Sequence, residues 1–285
     1  MLLYIFLALS AVFSAGLTLR SCLVEGLQRL WVLPVSFLGA FLVQVIIFFL
    51  VIWISCSIVK NKPVPEKDGK YFRWILQQFI RIALPVLQAR VHQKGLEQTP
   101  KEGPFLLVCN HLHNIDPAII LRSFPKTTLS FIAKQEAGKM FLIGPMLKRL
   151  RCQLINREND REGLKTVVRC IKMLQDKEAS IAVFPEGYIL GDELMHPFRS
   201  GVFKIALKSN VPIVVCTLYG TQNVLKNAAR LKATQVDFHL VKVLYPEDYA
   251  GKTATEVGNM AYELMAQDLG PDKVWQRPEN TEEKE

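Results

Sequence analysis

Residues 105–117, FLLVCNHLHNIDP, decide the fold of this 285-residue chain. The first five are apolar and follow a Gly-Pro pair, which is typical of a buried strand. The stretch closes on Asp116 and Pro117, and Asp is a favoured helix N-cap while Pro is favoured at the first helical position. It therefore predicts a strand over residues 105–109, a short polar loop, and a helix over residues 117–122.

Downstream of this stretch, apolar runs alternate with segments of helical periodicity. The runs predict strands over residues 129–133, 181–184, 213–218 and 236–244, and the periodic segments predict helices over residues 160–177, 201–209 and 254–269. Strands that alternate with helices are typical of α/β proteins. We therefore predict an α/β fold with a mixed, mostly parallel sheet flanked by helices.

Upstream, residues 1–19 and 31–59 contain no charged side chain. The second stretch is longer than the roughly 20 residues that a helix needs to cross a bilayer, and the first is just long enough. A signal peptide competes for the first stretch, but it requires basic residues before the apolar run. The first cation is Arg20, so we favour a membrane-anchoring helical hairpin over residues 1–60.

Positive charge follows the second apolar stretch, at Lys60, Lys62, Lys67, Lys70 and Arg73. Cationic segments stay on the cytoplasmic side of a membrane, so we expect the following domain to face the cytoplasm. The net charge of +9 favours anionic membrane lipids as a partner, and no nucleic-acid-binding motif is present. The six cysteines are scattered without ligand spacing, which is typical of reduced, mostly buried thiols.

Residues 61–94 are predicted to link the hairpin to the domain. A polar segment with two prolines leads into a basic, aromatic-rich amphipathic helix, which is typical of a membrane surface. A helix packed on the domain itself explains the pattern equally well. The predicted division is thus an anchor over 1–60, this linker and interfacial helix over 61–94, the main domain over 95–269, and a disordered polar tail over 270–285.

His111 and Asp116 form the first candidate site. We expect His111 at the carboxyl end of the first strand, where open α/β sheets bind ligands. If the loop folds the Asp116 carboxylate back onto the imidazole, one ring nitrogen is fixed as a donor. The other can then take a proton from a hydroxyl. The pair fits acyl transfer to an alcohol, although a helix cap beside a loop histidine also explains it.

Two neighbouring residues leave other chemistry open. His113 makes a His-x-His pattern with His111, so a metal-dependent hydrolase is one alternative. Cys109 lies two residues before His111, so a Cys–His nucleophile is another, against a buried strand cysteine. A non-enzymatic membrane lipid-binding protein is the third alternative.

Further candidate residues lie where other apolar runs end. Lys134 and Arg157 each follow such a run, and cations at the rim of a pocket bind phosphate well. Glu186 and Gly187 follow the strand at 181–184. Arg199 precedes the helix at 201–209, whose free N–H groups favour an anion.

These blocks, in this order, resemble the PlsC-type lysophospholipid acyltransferase family. The resemblance covers roughly residues 95–225, about half the chain. The matching residues are Asn110, His111, Asp116, Lys134, 155–157 (INR), 184–187 (FPEG) and 211–213 (VPI).

The resemblance implies that His111 is the general base, oriented by Asp116, and that no metal or other cofactor takes part. The acceptor would be a lysophospholipid, most simply lysophosphatidic acid, and the donor acyl-CoA or acyl-carrier protein. Arg157 and Lys134 would hold the acceptor phosphate, Glu186 and Gly187 the glycerol part, and Pro212 would help shape the acyl pocket.

Two departures from the family pattern leave the headgroup of the acceptor open. His113 stands where the family usually has Ser. Tyr188 and Ile189 stand where it commonly has Thr-Arg, so one phosphate-facing arginine is missing. Arg199 is the residue that could compensate.

Overall fold

The computed structural model describes residues 2–65, 69–155 and 160–276. Within these ranges seven strands form one sheet in the order β1-β7-β6-β2-β5-β3-β4. The strands are β1 (Ala89–Lys94), β2 (Leu106–Cys109), β3 (Leu129–Lys134), β4 (Gln153–Ile155), β5 (Ser180–Val183), β6 (Ile213–Tyr219) and β7 (Thr234–Leu244).

Five neighbouring strands, from β4 to β6, run in the same direction, whereas β7 is antiparallel to β6 and β1 is parallel to β7. This is the mixed, mostly parallel sheet that the sequence predicts. Since the carboxyl ends of the five strands meet at one edge, the residues that follow β2, β5 and β3 are brought together there.

Helices cover both faces of the sheet. The helices of the described residues are α1 (Leu2–Glu25), α2 (Val32–Val59), α3 (Lys70–Val86), α4 (Asp116–Ser123), α5 (Ile143–Arg149), α6 (Asp160–Gln175), α7 (Lys204–Ser209), α8 (Val224–Ala228) and α9 (Ala254–Leu269). Side chains of a strand alternate between faces. Leu107 and Cys109 accordingly pack with α3 and α4, and Leu106 and Val108 pack with α6, α7 and α9.

Helices α1 and α2 form a hairpin whose polar side chains face each other. Ser14 Oγ lies 2.8 Å from Ser36 Oγ, and Gln44 Nε2 donates to Ser10 Oγ at 2.8 Å. The outward side chains are mostly apolar and exposed. Both segments are long and apolar enough to cross a membrane, and only 17% and 11% of their most apolar windows are buried. That low burial is unlike a core helix and fits the predicted anchor.

Helix α3 packs on the domain through its inner face. Gln77 Nε2 donates to Leu121 O at 3.0 Å, and an Arg73 Nη donates to Leu129 O at 3.1 Å. The outer face leaves Tyr71 and Trp74 about half exposed. Packing on the domain is therefore observed, and contact of the outer face with a membrane surface stays a prediction.

The helix predicted to extend towards residue 94 ends at Val86. Gln88 adopts a left-handed conformation (φ 51°), and residues 89–94 then form the edge strand β1. The sequence ARVHQK does not predict a strand because it is mostly polar. Polar side chains are tolerated here because this strand lies at the edge of the sheet and is largely exposed to water. The division of the chain at 94/95 stays a prediction, but the sheet begins before it.

The beginning of the predicted disordered tail has a defined place. A short 3-10 turn over Pro271–Lys273 follows α9, and Val274 forms a bridge to Met195. Backbone hydrogen bonds explain this order: Met195 N–H donates to Lys273 O, and Trp275 N–H donates to Met195 O, both at 2.9 Å. Residues 277–285 of the predicted tail lie outside the described residues.

Candidate active site

The loop after β2 is fixed to β6 by Asn110. This side chain is buried and bonds both backbone groups of Leu218: Nδ2 donates to the carbonyl, and Oδ1 accepts from the N–H, each at 2.8 Å. An amide side chain is the group that can donate and accept in this way. The start of the loop that carries His111 is thereby held in register with the neighbouring strand.

The His111 imidazole and the Asp116 carboxylate meet as the sequence predicts. His111 Nδ1 lies 2.8 Å from Asp116 Oδ2, and Asp116 is completely buried. Oδ2 also accepts the backbone N–H groups of Leu112 at 2.7 Å and His113 at 2.9 Å. Since the carboxylate can only accept, the proton of a neutral imidazole lies on Nδ1, and Nε2 carries the lone pair.

The predicted helix-capping position of Asp116 is wrong by one residue. Helix α4 begins at Asp116 with Ile115 at the N-cap, which makes no side-chain cap. The carboxylate accepts N–H groups of the preceding loop, because His111 to His113 curl back over the helix start. The alternative in which Asp116 serves only as a helix cap is therefore not what the structure shows.

The His111 ring is covered on one face by Phe184. The ring centroids are 4.0 Å apart and the planes are 14° from parallel. The His111 side chain is 15% exposed, and no hydrogen bond to Nε2 is found among the described residues. One nitrogen is thus fixed and the other is open. The sequence offers only the aromatic at the end of β5 as a signal for this contact.

Glu186 ties two loops together. Its Oε1 accepts His111 N–H at 2.7 Å and its Oε2 accepts His196 N–H at 2.8 Å. The residue is 1% exposed. Burial raises the pKa of Glu186 from 4.5 to about 7, and the two backbone donors oppose that rise. The structure therefore shows Glu186 bonded to the backbone, and binding of the acceptor by Glu186 stays a prediction.

Gly187 and Arg199 are in close contact. Gly187 has φ +85°, and a Cβ there would lie 3.2 Å from Arg199 Nε. Arg199 N–H donates to Pro185 O at 2.9 Å, and its guanidinium carbon is 5.8 Å from the Tyr188 ring centroid. A glycine leaves room for the exposed guanidinium beside the Glu186–Gly187 turn.

The other predicted cations are less informative. Lys134 ends β3 at the same edge of the sheet. Its side chain is 62% exposed, and Nζ is 3.6 Å from Glu136 Oε2. Such an exposed pair is weak, which leaves the ammonium available to another anion. Arg157 lies outside the described residues.

The structure does not favour Cys109 as a nucleophile or His113 as a metal ligand. Cys109 is fully buried, and burial raises the pKa of its thiol well above the usual range, so it lacks the exposure and thiolate character of a nucleophile. His113 Nδ1 accepts the Ile115 N–H at 3.3 Å. Among residues 2–65, 69–155 and 160–276, no three His, Cys, Asp or Glu side chains cluster as metal ligands.

Comparison with known proteins points to one family. A family model described as Acyltransferase matches residues 90–219. The chain is 30% identical over 185 residues to a probable 1-acyl-sn-glycerol-3-phosphate acyltransferase of Mycoplasma pneumoniae, covering 64% of this chain and 66% of that protein. It is 26% identical over 187 residues to the 1-acyl-sn-glycerol-3-phosphate acyltransferase of Borreliella burgdorferi, covering 64% and 74%.

The fold has a solved counterpart. The crystal structure of PlsC, the 1-acyl-sn-glycerophosphate acyltransferase of Thermotoga maritima, superposes with a TM-score of 0.59 at 21% identity. The match covers 83% of this chain and 98% of that one. It therefore spans more of the chain than the acyltransferase family match at residues 90–219.

Proposed function

This chain belongs to the PlsC-type lysophospholipid acyltransferase family, and from that premise we propose its reaction. It transfers a fatty acyl group from acyl-CoA or acyl-carrier protein to the free hydroxyl of lysophosphatidic acid, giving phosphatidic acid. The observation that carries the proposal is the His111–Asp116 pair at 2.8 Å, buried on the aspartate side and open at Nε2. The names of the relatives support this choice of acceptor.

The chemistry follows from the orientation of the imidazole. Nε2 of His111 takes the proton of the acceptor hydroxyl as its oxygen attacks the thioester carbonyl. The tetrahedral intermediate collapses, the carbon–sulfur bond breaks, and the imidazolium returns the proton to the leaving thiolate. Asp116 stabilises the transient cation and holds the ring. This direct transfer forms no acyl-enzyme and uses no metal.

For the acceptor phosphate we propose Arg199, Lys134 and Arg157. Arg199 has the clearest support, since its guanidinium lies against the Gly187 backbone at the site edge. Arginine can bind phosphate through two parallel hydrogen bonds. Arg199 thus offers a cation where Ile189 stands in place of the family's arginine.

A lysophospholipid with another headgroup is the alternative acceptor. Ile189 and the exposed Tyr188 make the Glu186–Gly187 turn less cationic and more apolar than the family pattern. A headgroup that carries its own positive charge would need fewer protein cations, so this difference favours the alternative.

Membrane attachment is proposed through the hairpin, with the catalytic domain on the cytoplasmic side. The cations after α2 support that orientation. The loop before α5 and the first residue of that helix support attachment, because Met140, Phe141 and Ile143 are 51%, 54% and 44% exposed. Cys56 of α2 lies against this loop, with Sγ 3.6 Å from Leu142 O. Exposed apolar side chains beside a spanning helix fit the membrane interface.

An acyl-transfer assay in membranes tests the proposal. Wild type and the His111→Ala variant are each offered lysophosphatidic acid, lysophosphatidylcholine and lysophosphatidylethanolamine with either donor. We expect acylation of lysophosphatidic acid by the wild type alone. Faster acylation of a zwitterionic acceptor would establish the alternative headgroup. Equal turnover by wild type and variant for every acceptor would reject the catalytic role of His111, as a non-enzymatic lipid-binding protein predicts.

A metal analysis, together with the acyl-transfer assay in the presence of chelators, tests the alternative of a metal-dependent hydrolase. Metal analysis of the purified protein is expected to find no stoichiometric zinc or manganese, and chelators are expected to leave acyl transfer unchanged. Stoichiometric metal that is lost in the His113→Ala variant would instead support the hydrolase.

A further inference from the structure

Residues 271–275, the segment after α9, are connected to the backbone of His111 through a β-bridge, one peptide bond and two hydrogen bonds. Val274 bridges to Met195, and the next residue, His196, donates its N–H to Glu186 Oε2 at 2.8 Å. The other oxygen of Glu186 accepts His111 N–H at 2.7 Å. Four links therefore join Val274 to the His111 backbone: the bridge to Met195, the peptide bond to His196 and the two hydrogen bonds of Glu186.

Each link of this series is well anchored. Met195 is fully buried and makes both backbone bonds to the segment. The His196 ring lies 5.8 Å from the Trp275 ring, and its Nε2 is 2.7 Å from Asp192 Oδ2. On its other side the segment is held by Lys273, whose Nζ is 4.1 Å from the Tyr219 ring centroid at the end of β6.

Glu186 is the point where these contacts act on the site. Among the described residues, one backbone donor holds each oxygen of this buried carboxyl group. Loss of either donor would leave a buried oxygen without a hydrogen-bond partner, which is costly whether or not the group is ionised. If Met195 and His196 move, Oε2 loses its donor and Glu186 is free to shift. The His111 backbone would shift with it, and a displacement of about 1 Å can cost about 10²-fold in rate.

We propose that residues 271–275 are a positioning element of the active site, acting through Met195, His196 and Glu186 on the His111 backbone. The proposal rests on the catalytic role proposed for His111. It assigns Trp275 and Glu186 as positioning residues, which act on the imidazole without touching the reacting atoms.

Two truncations test the proposal. Deletion of residues 277–285 is the matched control and is expected to keep wild-type kinetics. Deletion of residues 271–285 is expected to lower kcat about 10²-fold while the KM for the acceptor changes less than about threefold. A kcat equal to that of the control would overturn the proposal. An inactive wild type would instead count against the proposed function.

A second pair of variants covers the case in which the longer deletion fails to fold. Trp275→Ala removes the ring beside His196 and is expected to lower kcat about tenfold, whereas Trp275→Phe is expected to keep it. Melting temperatures of both variants are measured alongside. Wild-type kcat in Trp275→Ala would overturn the proposal.

The route through Glu186 is tested by a double-mutant cycle. Glu186→Gln replaces one acceptor oxygen by an amide and is expected to lower kcat by itself. Combined with Trp275→Ala, it is expected to add little further loss, because both changes break the same series. If the two losses multiply as independent effects, the segment does not act through Glu186, and the proposal fails.

Discussion

Two of the histidine–aspartate pairs lie beside different strands of the sheet. After β2, His111 meets the fully buried Asp116 at 2.8 Å. Between β7 and the end of α9, His239 meets Asp268 at 3.2 Å, and these two side chains are 30% and 23% exposed. Asp268 is also held by the Thr217 hydroxyl at 2.5 Å.

The surroundings separate the two pairs. The Asp116 carboxylate accepts two backbone N–H groups besides the imidazole, and an aromatic ring covers His111. The pair also lies at the edge where the five parallel strands end, which is where such sheets bind ligands. A hydrogen bond between histidine and aspartate therefore does not by itself mark a catalytic site. We expect catalysis to require burial of the aspartate, additional backbone donors to its carboxylate, and a position at the edge of the sheet. The His239 pair is the matched control within the same chain.

The largest effect is expected from exchanging an aspartate for asparagine in each pair. Asp116→Asn removes the charge that holds the Nδ1 tautomer, and we expect kcat to fall roughly 10³- to 10⁴-fold. Asp268→Asn is expected to change kcat less than about threefold. Initial rates in the membrane assay measure both. Similar losses in the two variants would show that the surroundings do not distinguish the pairs.

Much of this site could be predicted from the sequence, because it depends on local signals. The His111–Asp116 pairing follows from one strand, one loop and one helix start. Helix α9 has the predicted bounds because Thr253 and Glu256 form a capping box at its start and Gly270 ends it. The central strands are recognisable because they are buried on both faces and read as continuous apolar runs.

The contacts that were not predictable join distant parts of the chain. Glu186 reaches the His111 backbone only because β5 is the neighbour of β2, and Phe184 covers the imidazole for the same reason. The periodicity of apolar residues predicts which segments are strands, but it does not predict which strands are neighbours in the sheet. The polar edge strand β1 and the five-residue helix α8 lacked a pattern strong enough to predict either.

The next largest effect is expected from the pH dependence of stability, through the buried Glu186, which accepts the His111 N–H. The folded-state pKa of Glu186 is about 7 because burial disfavours its charge, against 4.5 without burial. As pH rises above 4.5, the unfolded chain releases this proton first, so the free energy of unfolding falls until about pH 7. The loss is about 3 kcal/mol.

Thermal unfolding of the detergent-solubilised protein between pH 4.5 and 8 measures this loss. Wild type is compared with Glu186→Gln. The contributions of the other titrating groups cancel in the difference between the two proteins. We expect the difference in stability between the two proteins to change between pH 4.5 and about 7 and to be constant from there to pH 8. Parallel pH dependence of the two proteins would mean that Glu186 titrates normally and that the site is wetter than its burial indicates.

The smallest effect is expected from two glycines that share a conformation and differ in surroundings. Gly187 and Gly191 both have φ +85°, but a Cβ meets Arg199 only at Gly187. Alanine at either position is expected to cost about 1–2 kcal/mol of stability through the backbone. Only Gly187→Ala is expected to raise the KM for the acceptor, since it displaces the guanidinium. An equal KM in both variants would remove Arg199 from the acceptor site.

The central claim is that His111, and not histidine–aspartate contact as such, performs acyl transfer. It is tested most directly by kcat of His111→Ala and His239→Ala, measured side by side with lysophosphatidic acid and acyl-CoA or acyl-carrier protein. We predict a loss of about 10⁴-fold in His111→Ala, at least as large as in Asp116→Asn because Asp116 acts through this ring, and a rate within about threefold of wild type in His239→Ala. Wild-type turnover in His111→Ala, at an unchanged melting temperature, would contradict the account.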